Sequence, residues 1–557
     1  MKKAMSSWNR LIGLLELDKK DIRQIFYYAI FAGLVALTLP LGIQAIVNLI
    51  QGAQVSTSWI VLVVLVTLGV AFQGILQLMQ FRILENMQQK IFTRASFEFA
   101  YRFPKIKIEE LRNYYPPELA NRFFDVLTIQ KGLSKILLDF PASALQIIFG
   151  LTLLSFYHPF FILYGFLLVL LIYIVFKFTA KRGLETSLSE SQKKYRVAHW
   201  IQEISRSLVS FKLSGKTHLA MDRNDVLTSD YLDARERHFR VLVLQFIQLI
   251  GFKVLVTAGL LIIGGLLVLN QEMNIGQFVA AEIIIILVIN SVEKLIQGLE
   301  SLYDVLTSLE KMGQVVDKKL EPQEGEDPFA VSKDIEVELD SIKYTSPEGK
   351  EVLKGITFKI EKTDRILLTG ATSSGKATLL KIMAGLISPS SGTLYVNDVS
   401  MEGIYPNKYR AHVGQVLPAQ MPFEGTILEN ITFGRTDISQ EHLHQVLKNL
   451  GLDVFIKERP NGINSMLQPE GQQIPYTVSK RIVLARAIIH EPQLLLLKDP
   501  LEHFEPSEAM KIIEYLTAKE RPWALIVASR NTQWNSYCNQ TIRLSQGMIT
   551  SKTKNDA

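Results

Sequence analysis

The sequence predicts a multi-domain chain: an all-α transmembrane domain of six helices, then an α/β domain built on a phosphate-binding P-loop. Three observations carry this reading. Apolar runs near the roughly 20 residues that cross a bilayer as a helix recur up to about residue 300 and stop there. After about residue 335, strand and helix patterns alternate, which implies a mainly parallel sheet. Between one such strand and helix lies Gly370-Ala371-Thr372-Ser373-Ser374-Gly375-Lys376-Ala377-Thr378. That stretch is a P-loop in all but its magnesium ligand, so the second domain is read as nucleotide-binding.

Composition bounds the alternatives. With 557 residues, 48% hydrophobic and a mean hydropathy of +0.18, the chain is more apolar than a soluble protein of its size. We read 1–20 as a cytoplasmic N-terminal segment, 21–305 as the transmembrane domain, 306–334 as a linker and 335–557 as the nucleotide-binding domain. The single cysteine, Cys538, excludes a disulfide framework and a cysteine metal site, and reads as an ordinary small apolar residue. The net charge of +6 is assigned to loops facing anionic lipid. No basic stripe interleaved with aromatics points to nucleic acid. Charged and polar residues run to Arg23 before the first long apolar segment, so no cleavable signal is expected.

In the membrane half the spans read as 24–49, 58–82, 138–157, 159–180, 241–268 and 275–298. The outer connections are 51–57, a turn at His158-Pro159, and 270–274, and none contains Lys or Arg. The inner segments carry Lys2, Lys3, Arg10, Lys19, Lys20 and the basic residues of 82–135 and 177–240. The positive-inside rule then places both termini and both long loops in the cytoplasm of a multi-pass protein of the cell (inner or plasma) membrane. The loops 88–136 and 183–237 are patterned as helices, with turns expected at 114–125 and 214–224; alone they would be solvated hairpins. Of the ionisable residues in or near spans, Lys253 is expected to snorkel and His158 to sit at the outer turn. Glu282, two turns into the last span, is the transport-pathway candidate, because a charge in hydrocarbon needs a cavity or a partner.

The second half opens after a polar, acidic stretch, 318–334, with the alternating strand 335–339 and two further strands around a turn at 346–350. The strand 365–369 leads into the loop, and a helix, 377–386, leaves it. Then come a strand at 392–396, a helical middle at 439–459, a helix at 479–490, and buried strands at 494–497 and 524–528. At the strand–loop–helix junction, backbone N–H groups and the helix N-terminus converge on an anion. Gly370, Ser373, Ser374, Gly375 and Thr378 form that nest, and Lys376 reaches the outer phosphates. The next residue should offer a hydroxyl to Mg²⁺, and Ala377 has none.

The order of parts and several motifs resemble the ABC transporters of the exporter type. Tyr344 resembles the family's adenine-stacking aromatic, although a tyrosine ending a strand is as often a packing residue. Phe423-Glu424-Gly425-Thr426-Ile427-Leu428-Glu429-Asn430-Ile431 is similar to the stretch after the glutamine loop, and Arg481-Ile482-Val483-Leu484-Ala485-Arg486-Ala487 to the helix after the signature motif. The segment 492–500 resembles the Walker B region. Asn121-Arg122-Phe123-Phe124-Asp125-Val126 and Ile275-Gly276-Gln277-Phe278-Val279-Ala280-Ala281 look most like the branch of type I secretion and peptide exporters. About 20 residues stand before the first span, so no peptidase domain is expected there.

The departures from that family are systematic. Where the resemblance implies an Asp that binds magnesium and a Glu that positions water, this chain has Lys498 and Asp499. Its signature aligns with Ile474-Pro475-Tyr476-Thr477-Val478, its loop glutamine with Pro418, its switch histidine with Ser529, and its following aspartate with Glu505. A lysine cannot ligate a cation, Pro475 lacks an N–H, and Asp499 is a methylene short. Phosphoryl transfer rests on positioned charge, so Asp499 and Ser529 are degenerate catalytic positions. The resemblance therefore implies an exporter-like half-transporter for a peptide, protein or amphiphile. It is expected to act as a homodimer or with another half, and to bind ATP with Lys498 beside the phosphates. Little hydrolysis is expected, and no protein hold on Mg²⁺. A non-transporting membrane adaptor and an active ATP-driven exporter are the alternatives.

Overall fold

The computed structural model describes residues 6–52, 57–330 and 334–555 and divides into two compact units. One is Met1–Pro104 with Asn113–Lys318; the other is Lys105–Arg112 with Lys319–Ala557. The expected positions 53–56 of an outer loop, Lys2, Lys3 and 331–333 of the linker lie outside the described residues.

The first unit is all helical. Its long members are Lys19–Ala36, Thr38–Gln51, Thr57–Arg102, Phe140–Ser155, Phe160–Arg206, Leu219–Leu269 and Ile275–Val316. Among the described residues, five segments are long and apolar enough to cross a membrane. A further helix starts with the shorter apolar stretch Phe160–Leu170. That stretch buries Phe161, Tyr164 and Leu168 and exposes Phe160, Ile162, Leu163, Phe166 and Leu167. Helical periodicity thus packs one stripe and leaves an apolar exterior, as lipid requires. The first expected span lies in one membrane-length segment, Lys19–Gln51, built of two helices that meet at Leu37. Pro40 supplies the reason: its ring opposes the carbonyl four residues back, Ala36, where the first helix ends.

The two long loops expected on the inner side are helical but more interrupted than the pattern predicts. After Thr57–Arg102 the chain makes only short turns, Ile108–Leu111 and Pro116–Asn121, before Asp125–Ser134. A π-helical turn, Lys135–Asp139, joins that helix to Phe140–Ser155 and precedes Pro141, which cannot donate to the ladder. In the second loop the break falls at 207–218 around the short helix Leu208–Leu213. Lys253 does not snorkel freely: its Nζ lies 2.6 Å from Glu293 Oε2, joining the last two long helices. His158 Nε2 meets Glu272 Oε2 at 3.2 Å, tying two interhelical turns together. Glu282 is exposed, while its neighbours Ala280, Ala281, Ile284 and Ile285 are buried, so it faces away from its own unit's core.

The second unit is α/β. The strands are β1 (Glu336–Thr345), β2 (Glu351–Glu361), β3 (Arg365–Thr369), β4 (Ser391–Val396), β5 (Val399–Ser400), β6 (Val413–Val416), β7 (Gly425–Thr426), β8 (Met466–Leu467), β9 (Leu494–Lys498), β10 (Ala524–Ala528), β11 (Gln540–Ser545) and β12 (Met548–Lys554). A six-stranded sheet runs β12-β11-β3-β10-β9-β6, parallel except at β12. A four-stranded antiparallel sheet runs β2-β1-β4-β5. The two expected strands before the turn at 346–350 are one strand, β1. A bulge at Asp340-Ser341, with Ser341 at φ 52, interrupts the alternation without ending the ladder.

Strands β9 and β10 are buried on both faces, which is why they read as continuous apolar runs. Leu494, Leu496, Ile526 and Ala528 join the core shared with the antiparallel sheet and the helix Lys376–Met383. Leu495, Leu497, Leu525 and Val527 join the core under the helices Tyr476–Ile488 and Pro506–Thr517. The expected helical middle is two helices, Gln440–Asn449 and Asp453–Lys457. They part at Gly451, whose φ is 65 and whose carbonyl accepts from Arg481.

Candidate functional site

Because β3, β9 and β10 are adjacent and parallel, their carboxyl ends meet at one edge, where α/β sheets gather ligands. A cavity of about 950 Å³ lies there, lined by Thr372 to Thr378, Lys498, Asp499, Glu502, His503, Ser529, Arg530 and the rim residues Lys350, Glu351, Val352 and Lys354. The loop after β3 needs its glycines. Gly370 has φ 142, and a Cβ there would fall 2.1 Å from the Leu544 carbonyl oxygen. Gly375 has φ 103, and a Cβ would meet Leu353 Cδ2 at 2.7 Å. Ser373 holds φ 64 without being glycine, so the loop keeps its curve at some strain.

Lys376 is buried at the start of the helix Lys376–Met383. Its Nζ donates to the carbonyls of Gly370 (2.7 Å) and Ala371 (2.8 Å) and to Ser374 Oγ (3.1 Å). Burial, and then Arg530, lower its pKa from the ordinary lysine value. The Ala377 methyl sits where a metal-binding hydroxyl would be. At the end of β9, Lys498 pairs with Asp499, whose backbone is left-handed at φ 43 and whose N–H donates to Ala528 O at 2.9 Å. Burial first, then Lys376 and Arg530, lower the Lys498 pKa. Just past β10, Ser529 Oγ accepts from the Asn531 N–H at 3.1 Å, and Arg530 donates to Thr372 Oγ1.

Ser373, Ser374, Gly375, Lys376, Ala377, Thr378, Lys498, Asp499 and Ser529 therefore come together on one cavity, while Gly370 lies behind it with its carbonyl on Lys376. Tyr344 does not join them. Its strand position points inward, its ring packs in the core between the sheets, and its hydroxyl accepts from Arg112 Nη2 at 2.6 Å. Among the described residues no Phe, Tyr or Trp lines the cavity. Pro418 is exposed after β6 and Glu505 precedes the helix Pro506–Thr517; neither lines it. Sequence reasoning missed Arg530, Glu502 and His503. The rule that ligands gather at carboxyl ends of parallel strands would have pointed to Arg530, two residues past a buried strand.

The segment 474–478 takes part indirectly. Pro475 precedes the helix Tyr476–Ile488, which starts with no side-chain cap. Tyr476 stands edge-on to His503 with centroids 5.6 Å apart, and its hydroxyl lies 3.5 Å from Glu502 Oε2. Arg486 anchors the same helix by donating to Asn430 O (2.7 Å) and Asn430 Oδ1 (2.8 Å), and burial lowers its pKa to about 10.

The donor chemistry decides what fits. Left-handed glycines, loop N–H groups and a buried lysine at a helix start suit the phosphates of a nucleotide. A divalent cation wants hard oxygens. The two positions that the family resemblance gives that role carry a methyl group (Ala377) and an ammonium (Lys498). The carboxylates on the cavity are Glu351, Asp499 and Glu502, with Asp499 paired to Lys498, so the usual pair of magnesium ligands is missing.

A bundle of membrane-length helices followed by a parallel sheet with a phosphate loop at its carboxyl edge defines a membrane protein with a nucleotide-binding cassette. The ABC transporter transmembrane region matches residues 24–292, and the ABC transporter domain matches residues 353–502. Together these take in about three quarters of the chain, which belongs to the ABC transporters and has the exporter fold. It is similar to the lactococcin-G-processing and transport ATP-binding protein LagD of Lactococcus lactis (22% identical over 343 residues, 60% of this chain and 48% of LagD). It is also similar to the alpha-hemolysin translocation ATP-binding protein HlyB of Escherichia coli (26% over 306 residues, 55% of this chain and 43% of HlyB). The chain spans about half, or less, of the length of the curated relatives it matches. Among solved structures, a bacterial Atm1-family ABC exporter with ATP bound superposes with a TM-score of 0.85 at 14% identity, covering 96% of this chain and 95% of that one.

Proposed function

We propose that this chain is an exporter-like half-transporter that pairs with a second half in the inner or plasma membrane. In this reading it holds ATP at the carboxyl edge of its parallel sheet and hydrolyses it little or not at all. The carrying observation is that Lys376 and its loop keep the phosphate-binding form while Ala377 and Lys498 line the same cavity. Asp499 and Ser529 stand where the water and the outer phosphate would be managed. Asp499 is engaged with Lys498, and Ser529, a hydroxyl in place of an imidazole, accepts from the Asn531 N–H, which supports the reading of little hydrolysis.

A peptide, protein or amphiphilic cargo is supported by the names of LagD and HlyB, which concern lactococcin G and alpha-hemolysin. Cytoplasmic termini and a cytoplasmic nucleotide domain are supported by the lysine and arginine asymmetry of the loops. Glu282, exposed on the last long helix, is the residue assigned to the cargo route. The competing reading is a non-transporting adaptor. It is favoured by Pro475 and Tyr476, which would meet a partner's nucleotide with a missing N–H and a phenol ring.

The test is ATP binding and phosphate release by the purified protein in lipid, beside Lys376→Ala. Binding abolished by that substitution, with phosphate release no higher than in the variant, is the expected result. Turnover that Lys376→Ala removes would return the chain to the active pumps.

A further inference from the structure

The cavity is cationic for a reason that the loop alone does not explain. Lys376 opens the helix after β3, Lys498 ends β9, and Arg530 follows β10, so three neighbouring strands each deliver one cation to the same space. The rim adds Lys350 and Lys354, against the carboxylates Glu351, Asp499 and Glu502. Each of the inner three rests on an oxygen of the wall: Lys376 on two loop carbonyls, Arg530 on Thr372, Lys498 on Asp499. The neutral oxygens under Lys376 and Arg530 exchange readily for anionic phosphate oxygens, where both partners are charged. Lys498 keeps its pair with Asp499 and turns its remaining N–H donors to the phosphates.

We propose that Lys498 and Arg530, beside Lys376, replace the divalent cation, so that the cavity takes a nucleoside triphosphate free of magnesium. This rests on the reading that the cavity holds a nucleotide. Two positive charges ordinarily arrive with the metal; here an ammonium and a guanidinium are built into the wall at the strand ends. The guanidinium fork suits two phosphate oxygens at once. A metal-bound triphosphate brings its own dication against Lys498, and like charges at short range in a partly buried site repel. The ammonium therefore works as a selectivity element as well as a counter-charge. The simpler account, that Lys498 is merely tolerated where metal no longer binds, predicts that its charge is dispensable.

Equilibrium binding of ATP to the full chain in lipid nanodiscs, in EDTA and in excess Mg²⁺, decides the matter on the unmodified protein. We expect affinity in EDTA to equal or exceed that in Mg²⁺. Lys498→Ala should weaken binding in EDTA by about tenfold or more, the factor that corresponds to 1.4 kcal/mol. The pair Ala377→Ser with Lys498→Asp, which restores a hydroxyl and a carboxylate, should turn binding magnesium-dependent; thermal melting checks that each variant folds. Wild-type binding that needs Mg²⁺ overturns the proposal and leaves the nucleotide reading standing. So does a Lys498→Ala variant with unchanged affinity in EDTA. No ATP binding in either buffer overturns the nucleotide reading, and this proposal with it.

Discussion

Tyr344 shows how much turns on which way one side chain points. On sequence it stands one residue from a strand end, where a ring can serve a ligand or the core. In the fold, alternation along β1 sends Ile342 and Tyr344 inward and Lys343 and Thr345 outward, and the Arg112 guanidinium holds the phenol oxygen. We expect Tyr344→Phe to cost about 1 kcal/mol, the worth of one hydrogen bond, and to leave ATP affinity unchanged. Tyr344→Ala should cost about 3 kcal/mol or more by opening a cavity. Denaturation and ATP titration of the same variants check both statements; an affinity loss in Tyr344→Phe would put the ring back at the nucleotide.

At the scale of elements, the site is a product of strand order. The phosphate loop, the Lys498-Asp499 pair and the Ser529-Arg530 pair are far apart in the chain and become neighbours because β3, β10 and β9 lie side by side and parallel. The edge strand β6 is held close to its neighbours by Gly414. A Cβ there would fall 2.1 Å from the Ala487 carbonyl oxygen and 2.8 Å from Pro492 Cγ. Gly414→Ala should therefore destabilise by about 1–3 kcal/mol through overpacking, read as a lower melting temperature. An unchanged melt would mean that β6 can shift away from the helix Tyr476–Ile488 at little cost. Sequence reasoning did not assign β6, β11 or β12. Val413-Gly414-Gln415-Val416 is short and carries a glycine, and β12 is almost wholly exposed, so neither has the apolar run that marks β9 and β10.

At the scale of the whole molecule, the proposed pairing follows from how little one set of spans would enclose as a pathway, five of membrane length and one shorter among the described residues. We expect the protein in lipid to behave as a particle of two 63.0 kDa copies, or of one copy with another half-transporter. Mass measurement of the purified particle checks it, and a stable single copy that still moves cargo would overturn the pairing. The exposed Glu282 belongs to the same question. A carboxylate turned away from its own core, in a region that otherwise exposes apolar side chains, is costly unless a second half or an aqueous route faces it.

The sequence by itself determined the class: membrane-length apolar runs, alternating α/β patterning, and a phosphate loop between a strand and a helix that starts Lys376-Ala377. Those signals are local, since span length, periodicity and a loop between strand and helix are properties of contiguous residues. What only the tertiary structure decided is what non-contiguous residues do together. It put Arg530 on the cavity wall and Tyr344 in the core. It paired Lys253 with Glu293, a residue that the sequence reading passed over, and it broke the first span at Leu37, ahead of Pro40. Each depends on which strands become neighbours or which carbonyl lies opposite a ring, and chain proximity carries no record of that.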